Sequence, residues 1–353
     1  MSQIKRQEKI LSQFKYGLDY HISAIQAFDL EEKISIATLK RDLKNMTDQG
    51  FLFLGGKGKI SNYTLSGKGL IRRDFNTDSY FSEDPYTKTI LDKYNFGLLG
   101  ILGKEMLFSE EENRELERYT KIFREKNINA SDAILKKELE RFVIELSWKS
   151  SKIEGNTYTL LDTEKLLRDG IVSESNTKEE ADMIINHKKA FNYILDLIRN
   201  NQDLSSFREL ENIHRLLVLD LGINHGIRKS AVGITGAKYM PLDIFSQIEE
   251  ETKKMLETIK LLDNNFSKAL LAILFISYLQ SFEDGNKRTA RLFANGILIS
   301  FGLAPLSYRD VDEKKYREVV LIFYEQNSIQ AFKKIFIEQY IFSCKNYNLK
   351  ILD

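Results

Sequence analysis

The sequence predicts a mainly α-helical protein: a helical core with one short β-hairpin, preceded by a small separate domain of helices and strands. Three observations lead there. Prolines number only three in 353 residues, Pro85, Pro241 and Pro305, so helices meet few obligatory breaks. Most of the chain carries apolar residues at three- and four-residue spacing, the period of a helix with one buried face. The longest apolar run, Ala269 to Leu279 (ALLAILFISYL), holds no charge and no breaker; it is too short to cross a bilayer and reads as a buried helix.

Composition narrows the class. Hydrophobic residues make up 42% and charged residues 29%, ordinary values for a soluble globular protein. Cys344 is the only cysteine, which excludes an intrachain disulfide or a cysteine metal site and fits a reducing cytoplasmic setting. The start, MSQIKRQEKILSQF, has no apolar signal core, and no membrane partner is expected. The formal net charge is +1, yet residues 1–73 hold 13 Lys/Arg against 7 Asp/Glu. Positive charge is concentrated at the front.

Residues 1–73 read as a domain of their own. Ile4 to Phe14 suits a helix. Ile34 to Met46 suits a second, opened by a polar cap candidate and carrying Leu39, Leu43 and Met46 on one face. Phe51 to Leu54 and Ile60 to Leu65 suit two strands around the loop Gly55-Gly56-Lys57-Gly58-Lys59. Helices followed by a hairpin with a basic tip resemble a winged helix-turn-helix. In that resemblance Thr38, Lys40, Arg41 and Lys44 lie on or near the recognition helix, and Lys57 and Lys59 on the wing. Two roles stay open: contact with DNA phosphates, or dimer and protein contacts.

Residues 74–129 read as a connector, with a polar loop from Asp74 to Tyr86 and helices over Tyr86–Leu102 and Ser109–Lys126. A solvated face explains the many charges of the second. From Ala130 the chain reads as a long amphipathic helix through Ser150, followed by Ser151-Lys152-Ile153-Glu154-Gly155-Asn156. Helices are expected over Thr177–Arg199, Ser206–Leu221, Phe245–Leu262, Asp310–Glu325 and Ile329–Tyr347. Between them Val232, Gly233, Ile234, Thr235, Gly236, Ala237, Lys238 and Tyr239 suit two short strands around a glycine turn, with Pro241 closing the stretch. His187 and His214 read as surface or helix-packing residues.

After the buried run comes Gln280-Ser281-Phe282-Glu283-Asp284-Gly285-Asn286-Lys287-Arg288-Thr289-Ala290-Arg291. Gly285 permits a backbone angle other residues avoid, and Asp284 or Asn286 can cap the helix expected over Arg288–Gly302. Lys287, Arg288 and Arg291 crowd the first turn of that helix, where cations cost roughly 0.3–1 kcal/mol each against the macrodipole. An anion bound at that end accounts for them: free N–H groups and two guanidinium forks suit a polyphosphate, with Glu283 or Asp284 placed to hold a metal bridging it. A polar turn whose arginines are solvated or paired to acids elsewhere accounts for them as well.

The stretch resembles the signature of the Fic (Fido) family, H-x-F-x-[DE]-G-N-[GK]-R-x-x-R, through Phe282, Asp284, Gly285, Asn286, Arg288 and Arg291. The resemblance implies a Fic/Fido domain over residues 130–347 and AMP transfer from ATP to a hydroxyl of a target protein. It implies Asp284 as the Mg²⁺ ligand and Gly285, Asn286, Lys287, Arg288 and Arg291 as the nucleotide site. Ser150, Glu154 and Gly155 resemble the family's inhibitory motif [ST]-x-x-x-E-[GN], on an inhibitory helix 130–156, whose glutamate pairs with the second signature arginine, here Arg291. Residues 232–241 correspond to the flap, which pairs with target backbone by strand addition. Members with this layout often pair, which implies a homodimer. One departure stands out: the histidine that takes the proton from the target hydroxyl is Gln280 here. A carboxamide cannot act as a general base, a loss of about 10²–10⁴ in rate. Lys287 also departs, standing where AMP-transferring members usually carry glycine; Doc toxins, which transfer a phosphate, share it. The expectation is an auto-inhibited, catalytically impaired adenylyltransferase. The other readings are an ATP-binding pseudoenzyme and a nucleotide-sensing DNA-binding regulator.

Overall fold

The structure is a computed structural model and describes residues 2–30, 34–56, 61–84, 88–128 and 130–350. It divides into two compact units: residues 1–105, 234–240 and 318–333 in one, and residues 106–233, 241–317 and 334–353 in the other. No described helix is long and apolar enough to cross a membrane.

The first unit opens with α1 (Gln3–Gln13), β1 (Asp19–His21), α2 (Ile22–Ile25), α3 (Ile36–Asp48), β2 (Leu52–Gly55), β3 (Asn62–Leu65) and α4 (Gly67–Arg72). Ser35 caps α3 by accepting from the Thr38 amide at 3.1 Å, and Leu39, Leu43 and Met46 are buried as the helical period requires. They pack with Ile10, Leu11, Phe14, Ile25, Leu52, Leu65 and Leu70 into one core. Inside it Arg6 pairs with Asp42, Nη2 to Oδ1 at 3.1 Å, so neither charge is buried alone. The antiparallel sheet runs β1-β3-β2, with Leu52 opposite Leu65 and Tyr20 opposite Tyr63. The sequence shows no trace of β1: three residues are too few for an alternating pattern. Lys57 and Lys59 lie outside the described residues.

The connector differs from expectation. Residues 88–97 are not helical; only α6 (Leu98–Leu102) is. Leu91 donates its amide to Glu325 O at 2.8 Å, and Lys93 bridges to Met240, so the backbone at 91–93 pairs with other segments instead of with itself. Tyr86 itself lies outside the described residues. Within the expected loop, Asn76 caps a short α5 (Thr77–Ser82), accepting from the Ser79 amide at 2.9 Å.

The second unit holds α7 (Glu110–Ile128), α8 (Asp132–Ile153), α9 (Leu160–Asp169), α10 (Lys178–Arg199), α11 (Phe207–Leu217), α12 (Phe245–Leu261), α13 (Asn265–Leu279) and α14 (Asn286–Ser300). Parts of α15 (Glu313–Gln326) and α16 (Gln330–Asn346) complete it. Every residue from Ala269 to Phe282 is buried, which is why this run shows no polar face. α13 and α14 pack as an antiparallel pair, flanked by α10, α11 and α12. Gly296 lets α14 come close to α10: a Cβ there would sit 2.9 Å from Ile194 Cγ2 and 2.4 Å from Leu204 Cδ2. α11 stops at Leu217, short of the expected Leu221, because the chain turns through Asp220 and Gly222 at positive φ. Helix α9 was not foreseen, although Thr159 (accepting from the Asp162 amide) and Gly170 (φ +71) are ordinary start and stop signals.

The expected hairpin at 232–241 is not formed. Ala237 N closes a turn onto Ile234 O at 3.1 Å around Gly236 (φ +83), and residues 232–239 are in no strand. The amides a hairpin would pair internally go elsewhere: Lys238 N to Glu325 Oε1 at 3.1 Å and Met240 N to Asp92 O at 2.8 Å.

Candidate nucleotide site

The site is built where α13 ends and α14 begins. Gln280 closes α13 in the left-handed region (φ +51). Its carboxamide is engaged at both ends: Nε2 donates to Ser277 O at 2.6 Å and Oε1 accepts from Asn286 Nδ2 at 3.0 Å. Asn286 was expected as a candidate cap. Instead it is the first residue of α14 and staples the loop, accepting from Phe282 N at 2.9 Å and donating to Phe282 O at 2.8 Å. Nor does Asp284 cap the helix. Gly285 (φ +79) occupies that position, and no side chain caps the start of α14. The N-terminal amides therefore face outward beside Lys287, Arg288 and Arg291, an arrangement that attracts anions.

The cations differ in their surroundings. Arg291 is fully buried and is held by α8: Nε donates to Ser150 Oγ at 3.0 Å, Nη2 to Ser150 O at 2.9 Å, and Nη1 to Glu154 Oε1 at 2.8 Å. Tyr316 lies against it, with the guanidinium carbon 5.6 Å from the ring centre. The second oxygen of Glu154 accepts from Lys287 Nζ at 2.7 Å. Burial pushes the Glu154 carboxyl up, but the charges of Arg291 and Lys287 and their hydrogen bonds reverse this and hold it at about 2. Arg288 Nη2 reaches Asp284 Oδ2 at 3.2 Å, while its Nη1 is buried with no hydrogen-bond partner. Burial lowers the Arg288 pKa. A buried donor without an acceptor costs about 1–3 kcal/mol, and a bound anion would satisfy it.

Two histidines that sequence reading left without a role belong to this neighbourhood. His214, on α11, stacks on Phe282 with ring centres 3.8 Å apart and planes 5° apart. Its Nε2 donates to Asp284 O at 2.9 Å. Burial lowers its pKa, the Asp284 bond raises it and Arg288 lowers it again, leaving about 4. His187, on α10, is also fully buried, 3.2 Å from Ser147 Oγ. Burial, then Arg291 and Arg288, push its pKa well below the ordinary value. The available signal was a histidine on the apolar face of each helix, which fits packing equally well. Arg228 was missed too. It is buried with Nε donating to Gln280 O at 2.6 Å and Nη1 to Ser230 O at 2.8 Å, and its own amide donates to Ser281 O at 3.0 Å. It ties the loop ahead of the turn at 234–237 to the signature.

Asp284 leaves two-thirds of its side chain exposed. Among the described residues no cluster of three His, Cys, Asp or Glu is placed to hold a metal. One exposed carboxylate beside an anion-attracting helix start would suit Mg²⁺ if phosphate bound there, since that ion takes one or two carboxylates and completes its shell with phosphate oxygens and water.

Of the other expected site residues, Ser150, Glu154 and Gly155 (φ +102) meet the signature at the end of α8. On α3, Lys40, Arg41 and Lys44 are exposed, whereas the Thr38 hydroxyl lies 3.0 Å from Ser35 Oγ in the helix cap. Gly233, Ile234, Thr235, Gly236, Ala237, Lys238 and Tyr239 form the turn segment already described.

Part of the chain is similar to known proteins. Residues 204–298 match the model of the Fic/DOC family. A protein adenylyltransferase Fic from Culex quinquefasciatus is 25% identical over 199 residues, 56% of this chain and 40% of its own length. One from Nematostella vectensis is 25% identical over 223 residues, 62% of this chain and 50% of its own. The chain thus spans half or less of these curated relatives. Among solved structures, a Fic-1 fragment from C. elegans superposes with a TM-score of 0.60 at 18% identity, covering 88% of this chain and 84% of that one. A Fic domain containing signaling protein from Bacteroides thetaiotaomicron gives 0.57 at 18% identity, covering 68% and 99%. Residues 204–298 are thus similar to the Fic/DOC family, and the chain has the helical fold of the solved Fic proteins.

Proposed function

We propose that the chain is a Fic protein of the adenylyltransferase type, binding ATP with Mg²⁺ at the start of α14 and directing AMP to a hydroxyl of a target protein. Glu154 holds it in an inhibited state. One observation carries this: a single carboxylate spans Arg291 and Lys287 across the N-terminus of a helix that no side chain caps. A carboxylate seated there competes with phosphate for the same guanidinium.

In this reading Arg288 and Arg291 with the α14 amides hold the phosphates, and Asp284 holds Mg²⁺, which neutralises phosphate charge. Residues 234–239 receive an extended stretch of target backbone. AMP transfer joins the α-phosphorus to the target oxygen, breaks its bond to the bridging oxygen, and releases pyrophosphate. The hydroxyl proton needs an acceptor. Gln280 supplies none, and both ends of its carboxamide are already occupied. The transfer is therefore slow, or the chain binds nucleotide without turning it over.

The test uses α-labelled ATP with Mg²⁺ on the chain, on Glu154→Gly, and on Glu154→Gly with Gln280→His. Self-labelling only with the histidine marks a nucleotide-binding pseudoenzyme. Labelling by Glu154→Gly alone marks a transferase with another base. Failure of all three to bind ATP sinks the reading.

A second reading rests on the exposure of Lys40, Arg41 and Lys44 on α3, in a unit whose helix and strand order suits a winged helix. Binding to duplex DNA that weakens steeply with salt, and weakens in Lys40→Ala/Arg41→Ala, supports it. Salt-insensitive binding removes it.

A further inference from the structure

A buried chain of hydrogen bonds runs through the first unit to the middle of segment 234–240. Arg73, which ends α4, is 1% exposed. It donates Nη1 to Phe14 O at 3.0 Å, and Nη2 to Gln326 O at 2.8 Å and to Gln326 Oε1 at 3.0 Å. Gln326 Nε2 reaches Tyr80 Oη at 3.3 Å and Thr89 O at 2.9 Å. Tyr80 donates its hydroxyl to Glu325 Oε2 at 2.6 Å. The other oxygen of Glu325, a residue only 6% exposed, accepts from the Lys238 amide at 3.1 Å.

The same segment is fixed at two further points. Met240 donates to Asp92 O and bridges to Lys93. Tyr239 packs on Tyr324 with ring centres 5.7 Å apart. A buried carboxylate that spends one oxygen on a backbone amide is costly unless that bond is kept. The expense is hard to explain for an ordinary surface loop. It fits a segment whose backbone must be held in one place, with the amides of Lys238 and Met240 anchored just past the turn at 234–237.

We infer that Glu325 is a positioning residue for target docking, fixing the backbone at Lys238 and with it the segment 234–240 that receives the target, with Tyr80, Gln326 and Arg73 behind it. This rests on the reading of that segment as the target-receiving one. It makes the N-terminal residues part of the docking apparatus: a change at Arg73, 165 positions before Lys238, reaches the docking backbone through four side chains.

The experiment is amide hydrogen exchange, read by mass spectrometry on the full chain. In Glu325→Ala, exchange of 234–240 rises about tenfold or more, as loss of a charge-assisted bond implies. Peptides from 286–300 keep their protection and nucleotide affinity stays within about twofold, since α14 is untouched. Glu325→Gln restores most of the protection, because its carbonyl still accepts from Lys238. Arg73→Met raises exchange at 234–240 by a smaller factor. Unchanged exchange of 234–240 in Glu325→Ala overturns the inference, as does a rise spread evenly over the whole unit. The docking reading is checked separately by self-labelling in the Glu154→Gly/Gln280→His background. If Glu325→Ala loosens the segment and labelling per bound nucleotide is unchanged, Glu325 positions the segment and the docking reading falls.

Discussion

Glu154 bridges Lys287 and Arg291 with one carboxylate, at 2.7 Å and 2.8 Å. Glycine at position 287 would leave only one of these contacts. Lys287→Gly is therefore expected to tighten ATP binding, by less than Glu154→Gly does. Lys287 is partly exposed, so its share is small, about 1 kcal/mol or roughly fivefold. Calorimetric titration of both variants and their double mutant checks this. Strict additivity would mean the two side chains do not act through each other.

Glu154 and His214 give two separate acid-sensitive windows. The His214 pKa falls from 6.5 to about 4 on folding, so the unfolded chain binds the extra proton and stability drops as pH falls from 6.5 towards 4. Its share is about 3 kcal/mol, and His187 adds in the same direction. The Glu154 pKa falls from 4.5 to about 2, so its contribution is complete above 4.5 and is lost below, towards 2. Urea unfolding between pH 7 and 4.5 should show a slope that His214→Gln reduces and Glu154→Gln leaves alone.

Gly285 takes φ +79, and a Cβ there would lie 3.2 Å from Val218 Cγ1 and 3.6 Å from His214 Cδ2. Gly285→Ala is expected to cost about 1–3 kcal/mol through strain and crowding. It should also weaken nucleotide binding, because the loop that aims the α14 amides shifts. A variant as stable as the parent and with unchanged affinity would show that the turn is not under constraint.

Arg228 secures Gln280 O and Ser230 O from the interior. Arg228→Lys keeps the charge but cannot reach both, and breaking a buried charge-assisted set costs about 3 kcal/mol or more. Thermal unfolding reads the loss directly. A shift under one degree would place the arginine's bonds among the replaceable ones.

The helical core was legible because its signals are local. The uninterrupted run at 269–279 could only be interior, and the helical period over 177–199 marked α10, which the structure starts on a capping box of Thr177 and Glu180. The signature was legible for the same reason: Asp284, Gly285, Asn286, Arg288 and Arg291 are adjacent in sequence. Contacts between distant segments left no local mark. The non-helical stretch at 91–93 and the segment 238–240 are held by Glu325 and by each other. His214 reached the signature loop through the packing of α11, which a helical period describes without naming the neighbour.

The complete enclosure of the run from Ala269 to Phe282 has a mechanical meaning. An element with no outward face cannot open without unfolding its surroundings, so its amides should exchange only at the rate of global unfolding. The turn at its end is expected to inherit that stiffness. On the proposed reading, the movement that admits a nucleotide then falls to the rim, where Gly155, two residues past α8, takes φ +102. On that reading the socket is the stiff part, and Glu154, its stopper, is the part that has to move.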